Sequence, residues 1–161
     1  MTGTYPAIVT GYDKGSVRIQ ASVAETTTDA ISDFMNEVRL LDNSAVFETI
    51  LLAFPFFLTD FFDYLDLVDD VESTLIAQGY EGVYQVATFH PDYCFADAIS
   101  SDVANYTNRS PFPMLHLLKE EQVDKAVSFY GDTDTIPEKN IICLRGLGLE
   151  KVKKILASCS I

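Results

Sequence analysis

The chain has 161 residues, with 11 Lys and Arg against 24 Asp and Glu, for a formal net charge of −13 at pH 7. At 48% hydrophobic with only 8 Gly and 6 Pro, this is the composition of one folded domain with a sizeable core, not of a disordered or low-complexity chain. So large an acidic excess argues against nucleic acid and anionic membranes as partners, because both are held by clustered Lys and Arg.

Met1 to Lys14 reads as a short N-terminal segment, with no basic region or apolar stretch of signal-peptide type, and residues 15–161 as a single globular domain. Gly15 to Val23 alternates Val17, Ile19, Ala21 and Val23 with polar neighbours, the period of a half-buried strand. Thr26 to Asp29 offers N-cap residues, after which Ile31, Phe34, Met35, Val38 and Leu41 recur at helical spacing. Val46 to Phe54 is apolar and β-rich, as expected of a central strand, and Pro55 stops it. Thr59 or Asp60 then caps a second helix that runs to about Ala77, with Phe61, Leu65, Val68 and Leu75 on one stripe and Gly79 beyond its end.

A third strand spans Gly82 to Phe89, followed by a long polar stretch from His90 to Phe112. Met114 to Lys119 reads as a fourth strand, with a helix as its alternative. A short helix from Glu120 to Tyr130 ends at Gly131, and a last one runs from Pro137 to Leu156 with a break at Gly146 or Gly148. The order β-α-β-α-β-loop-β-α-α predicts an α/β (or α+β) fold with a single four-stranded mixed sheet flanked by helices. Sites in such sheets form beyond the carboxyl ends of strands, here at Ala24-Glu25, Phe54-Pro55 and His90-Pro91-Asp92.

Cys94, Cys143 and Cys159 are odd in number and form no CxxC pair, so they read as free thiols in a reducing compartment. The longest nearly uncharged run, Thr49 to Thr59, contains Pro55 and falls well short of the roughly 20 residues of a membrane span. A cytoplasmic protein is expected. Neither a Gly-rich phosphate loop nor a nucleophile elbow occurs.

Thr88 to His116 carries the candidate chemistry and holds both histidines of the protein. In one reading His90 is a general base oriented by Asp92, with His116 completing a catalytic set. In another the same three, His90, Asp92 and His116, hold a divalent metal with an open position. In a third both histidines are structural, each satisfied by its own surroundings. Arg109, the only basic residue between Arg39 and Lys119, is the natural partner of an anionic ligand. Tyr93, Asn105, Asn108 and Ser110 would assist it, but Arg109 would serve equally well as a staple to Asp97 or Asp102. Cys94 beside His90 is a weak candidate nucleophile. On the second helix, Asp63, Asp66 and Asp70 share a face, readable as a Mg²⁺ site or as a solvated outer face.

Gly82-Val-Tyr-Gln-Val-Ala-Thr-Phe-His-Pro-Asp-Tyr, followed by Asn105-Tyr-Thr-Asn-Arg-Ser-Pro-Phe-Pro-Met-Leu-His-Leu-Leu, closely resembles a bacterial family known as a domain of unknown function, number fourteen-fifteen in its series. The resemblance runs from about Gly15 to Leu149 and takes in Asp60-Phe-Phe-Asp-Tyr-Leu-Asp and Glu138-Lys-Asn-Ile. It implies kinship without an activity, substrate or cofactor. Members begin with a longer segment containing Asn-Leu-Cys-Pro-Phe, which Met1 to Lys14 lacks, and often place His-Pro where this chain has Phe54-Pro55. Those departures imply a truncated gene model, an inactive paralogue or a binding-only version.

Three functions follow. The first is a site for an anionic small molecule in the loop 90–116, with hydrolase or group-transferase chemistry. The alternative is a non-catalytic binding or scaffold domain, as a homodimer in one version, which would expose Phe56, Phe57, Phe95 and Phe112. Metal storage on the acidic helix is a third.

Overall fold

A computed structural model describes residues 15–130 and 136–159. The elements in chain order are β1 (Val17–Ala21), α1 (Thr27–Asn43), β2 (Thr49–Ala53), α2 (Phe61–Ala77), β3 (Tyr84–Phe89), a 3-10 turn (Val103–Thr107), β4 (Met114–Lys119), α3 (Glu120–Tyr130), α4 (Ile136–Leu147) and α5 (Leu149–Ser158). The expected α/β class and the single four-stranded mixed sheet are both present.

The sheet order is β1-β2-β4-β3. β1 and β2 are parallel, while β4 runs antiparallel to both its neighbours, so β1, β2 and β3 all point one way. Alternation along each strand assigns the faces. Ile50, Leu52, Leu115, Leu117 and Tyr84 turn toward the helices and are buried. Phe34, Val38 and Leu41 of α1 and Tyr64, Leu67 and Val71 of α2 close over them as one core. Half-buried Arg18 reaches from β1 to Glu37 of α1 at 2.7 Å on the same side. The opposite face carries Ile19, Leu51, Ala87 and His116.

Thr26 caps α1, its hydroxyl accepting from the Asp29 N–H at 3.2 Å, and Asp60 caps α2 by accepting from Phe62 and Asp63. The expected strand from Val46 is shorter at its start, because the Val46 and Phe47 N–H groups turn back onto the Ser44 hydroxyl. The expected last helix is two, α4 and α5, divided at Gly148 with φ of 78°. Gly131, expected to end α3, lies outside the described residues.

This topology gathers one edge. The carboxyl ends of β1, β2 and β3 lie there with the amino end of β4, and residues 90–113 span the gap between β3 and β4. α4 packs on the 3-10 turn of that loop.

Candidate functional site

The loop is built inward from His90, which is fully buried against the rings of Phe61 and Tyr64 at 5.2 and 5.1 Å. Its Nε2 lies 2.9 Å from the Leu58 carbonyl, which can only accept, so Nε2 carries the proton. Its Nδ1 accepts the Asp92 backbone N–H at 3.0 Å. Both ring nitrogens of a neutral imidazole are thereby occupied. The carbonyl it holds belongs to Leu58, the one described non-glycine residue with positive φ, at 63°. A leucine costs energy in that region, and the His90 bond is one of the contacts that fix it there. Asp92 meets His90 through its main chain, and Asp92 itself is exposed.

His116 sits on β4 between Leu51 and Ala87, on the other face of the sheet, and is also buried. The Thr49 hydroxyl donates to the Leu117 carbonyl and accepts from His116 Nε2, each at 2.6 Å. Burial lowers the His116 pKa to about 4, so its ring is neutral near pH 7. The sheet separates the two histidines, since His90 packs against α2 while His116 lies on the outer face. Among the described residues no group of three His, Cys, Asp or Glu side chains is placed to hold a metal, so His90, Asp92 and His116 are not gathered as a ligand set.

The remaining loop side chains turn on the loop itself or on the strand and helix beside it. Asn105 is fully buried; its Oδ1 accepts from Phe95 N–H at 3.1 Å and its Nδ2 donates to Ile99 O at 2.9 Å. Asn108 Nδ2 donates to Thr88 O at 3.2 Å, and Ser110 Oγ to Phe112 O at 2.5 Å. Tyr93 gives its ring to Phe61 and Phe95, at 5.4 and 5.1 Å, which makes a continuous aromatic row. Cys94 Sγ donates to the Ala98 carbonyl at 3.4 Å.

Arg109 differs from these. Its Nε donates to Tyr93 O at 3.1 Å and its Nη2 to Ser100 O at 2.9 Å, while the Tyr106 ring lies 4.5 Å from its Cζ. It makes no ion pair among the described residues. The expected staple to Asp97 or Asp102 is not formed; Asp102 caps the 3-10 turn and faces Arg145 of α4 at 3.5 Å. Arg109 is a partly exposed cation, held on carbonyls and a ring, whose charge has no carboxylate opposite.

Around this edge Phe56 and Phe62 are 80% and 75% exposed, and Phe95 and Phe112 are partly so, whereas Phe57 packs against the core. The acidic face of α2 behaves as an outer face: Asp63, Asp66 and Asp70 are all exposed. The sequence did not single out Leu58, Thr49, Tyr64 or Tyr106. Tyr64 alone ties three elements, its hydroxyl donating to Met114 O at 2.7 Å and accepting from Phe89 N–H at 3.0 Å. No helix among the described residues is long and apolar enough to cross a membrane.

The chain belongs to the family described as Protein of unknown function (DUF1415), whose profile matches residues 6–154. Neither a curated protein nor a solved structure matches it.

Proposed function

We propose that this member of the family is a binding domain, taking an anionic small molecule at the carboxyl-end edge of its sheet through Arg109. The observation that carries the reading is the guanidinium without a carboxylate, fixed by Tyr93 O, Ser100 O and the Tyr106 ring in a chain of net charge −13. A cation so placed is preorganised: it loses little freedom when a ligand arrives. Acid–base turnover of the hydrolase or transferase kind finds less support. A base at His90 would need a free Nδ1 lone pair, and that lone pair accepts the Asp92 N–H.

The test is a two-dimensional amide NMR titration of the full chain with sodium acetate and with inorganic phosphate. Saturable shifts centred on Ser100, Tyr106 and Arg109, with half-saturation at about 1 mM or below, are expected for at least one anion. Shifts that are uniform along the chain, or that never saturate, would sink the reading.

A second reading is favoured by the exposure of Phe56 and Phe62: this edge meets a protein partner, in one form a second copy of the chain. Light scattering across a hundredfold concentration range checks the homodimer, and a constant monomer mass removes it.

A further inference from the structure

Arg109 offers a ligand only part of its guanidinium. The group has two bidentate edges, one made by Nε–H with an Nη2–H and the other by Nη1–H with the second Nη2–H. Tyr93 O takes the Nε–H and Ser100 O takes one of the two Nη2–H groups. Nη1 makes no hydrogen bond among the described residues, and the edge it forms with Nη2 is a fork that matches two oxygens of one planar group.

The surrounding charge limits what that group can be. The loop 90–113 carries three acids, Asp92, Asp97 and Asp102, against the single cation of Arg109. Arg145, the one further cation joined to the loop by a described ion pair, already faces Asp102. A ligand with two negative charges would meet one uncompensated positive charge inside a net negative neighbourhood, and a singly charged group would carry about half of that penalty. The apolar surroundings then bear on the rest of the molecule. Tyr106 covers one face of the guanidinium, and Tyr93, whose carbonyl anchors Arg109, continues the ring row to Phe95 and Phe61.

We infer that the ligand of Arg109 is a monocarboxylate on an apolar, ring-bearing body, held end-on by the Nη1/Nη2 edge with its body against the Tyr93–Phe95 row. The inference rests on the reading of Arg109 as an anion site and adds the class of anion. It involves no bond making or breaking.

Calorimetric titration of the full chain with four probes tests it: phenylacetate, acetate, inorganic phosphate and neutral phenylacetamide. Phenylacetate is expected to bind at least about tenfold more tightly than phosphate or acetate, and phenylacetamide not measurably. In the Arg109→Lys variant, which keeps the charge and loses the fork, phenylacetate affinity should fall about tenfold. Because that substitution also touches the loop's own bonds, Phe95→Ser serves as a second variant at a partly exposed position. It should weaken phenylacetate several-fold and leave acetate unchanged. Phosphate binding as tightly as phenylacetate would overturn the inference and leave the anion reading standing. So would a Phe95→Ser variant that binds phenylacetate like the parent. Phenylacetamide binding equal to phenylacetate, or no binding by any anion, would overturn both.

Discussion

The His116 ring is closed off from water, and burial alone holds its pKa near 4, against about 6.5 for a free histidine. Between those values the unfolded chain binds a proton that the folded chain refuses. Stability from this group is therefore fully present above about pH 6.5 and is lost as pH falls toward 4, a contribution of about 3 kcal/mol. Urea unfolding of the parent and of His116→Gln at pH 7 and pH 4.5 should show the parent losing more on acidification. Equal losses would mean that the ring takes its proton without cost. Asn105 gives a second expectation. Replacing it by Ala removes the acceptor of the Phe95 N–H and one of two donors to the Ile99 carbonyl, which keeps the Asp102 N–H, so a loss of about 1–2 kcal/mol is expected in the same assay. His90, Asn105, Asn108, Arg109 and Ser110 stood out in the sequence as a polar cluster, and the structure uses every one of them. What the sequence could not convey is that their partners are main-chain groups of Leu58, Asp92, Phe95, Thr88, Tyr93 and Phe112. Every residue owns such groups, so a side chain that binds its own loop has the same signature as one awaiting a ligand. Only the geometry separates Arg109 from the others.

At the scale of elements, the periodic segments were the legible ones. α1 and α2 follow apolar stripes and capping residues, and the acidic stripe of α2 lies in water as a solvated face does. Met114 to Lys119 was open to two readings because a short apolar run has no period of its own. Pairing with β2 on one side and β3 on the other decides it as a strand. The order of strands was not legible, since nothing in the composition of β4 says that it enters between β2 and β3. Gly146 and Gly148 marked a break without saying which residue makes it. Gly148 does, at φ of 78°, with its N–H bonded to Leu144 O and open space where a Cβ would stand. Gly148→Ala should therefore cost about 1–2 kcal/mol through backbone conformation alone, whereas Gly146→Ala, inside α4 and also with open space at Cβ, should stabilise by up to about 1 kcal/mol. Opposite shifts of the two melting temperatures are the check, and shifts of the same sign would contradict this account of the break.

For the molecule as a whole, a charge of −13 works against compactness, because the carboxylates crowd as the chain folds. Raising NaCl from about 10 mM to 150 mM at pH 7 should lift the melting temperature by a few degrees, about 1 kcal/mol. A fall would mean that attractive pairs outweigh the repulsion, which the four ion pairs among the described residues do not suggest. The sheet order also bears on how the protein is made. β2 and β3 share no hydrogen bond; each reaches the other through β4, the last strand among the described residues. During synthesis the β1–α1–β2 unit has its partners early. One edge of β2 and all of β3 must wait until Lys119 has cleared the ribosome. A product that stops before Met114 would expose the apolar face of Ile50 and Leu52 on an open edge, ready to pair with another chain. The antiparallel insertion thus makes the stretch from Thr49 to Lys119 complete only as a unit.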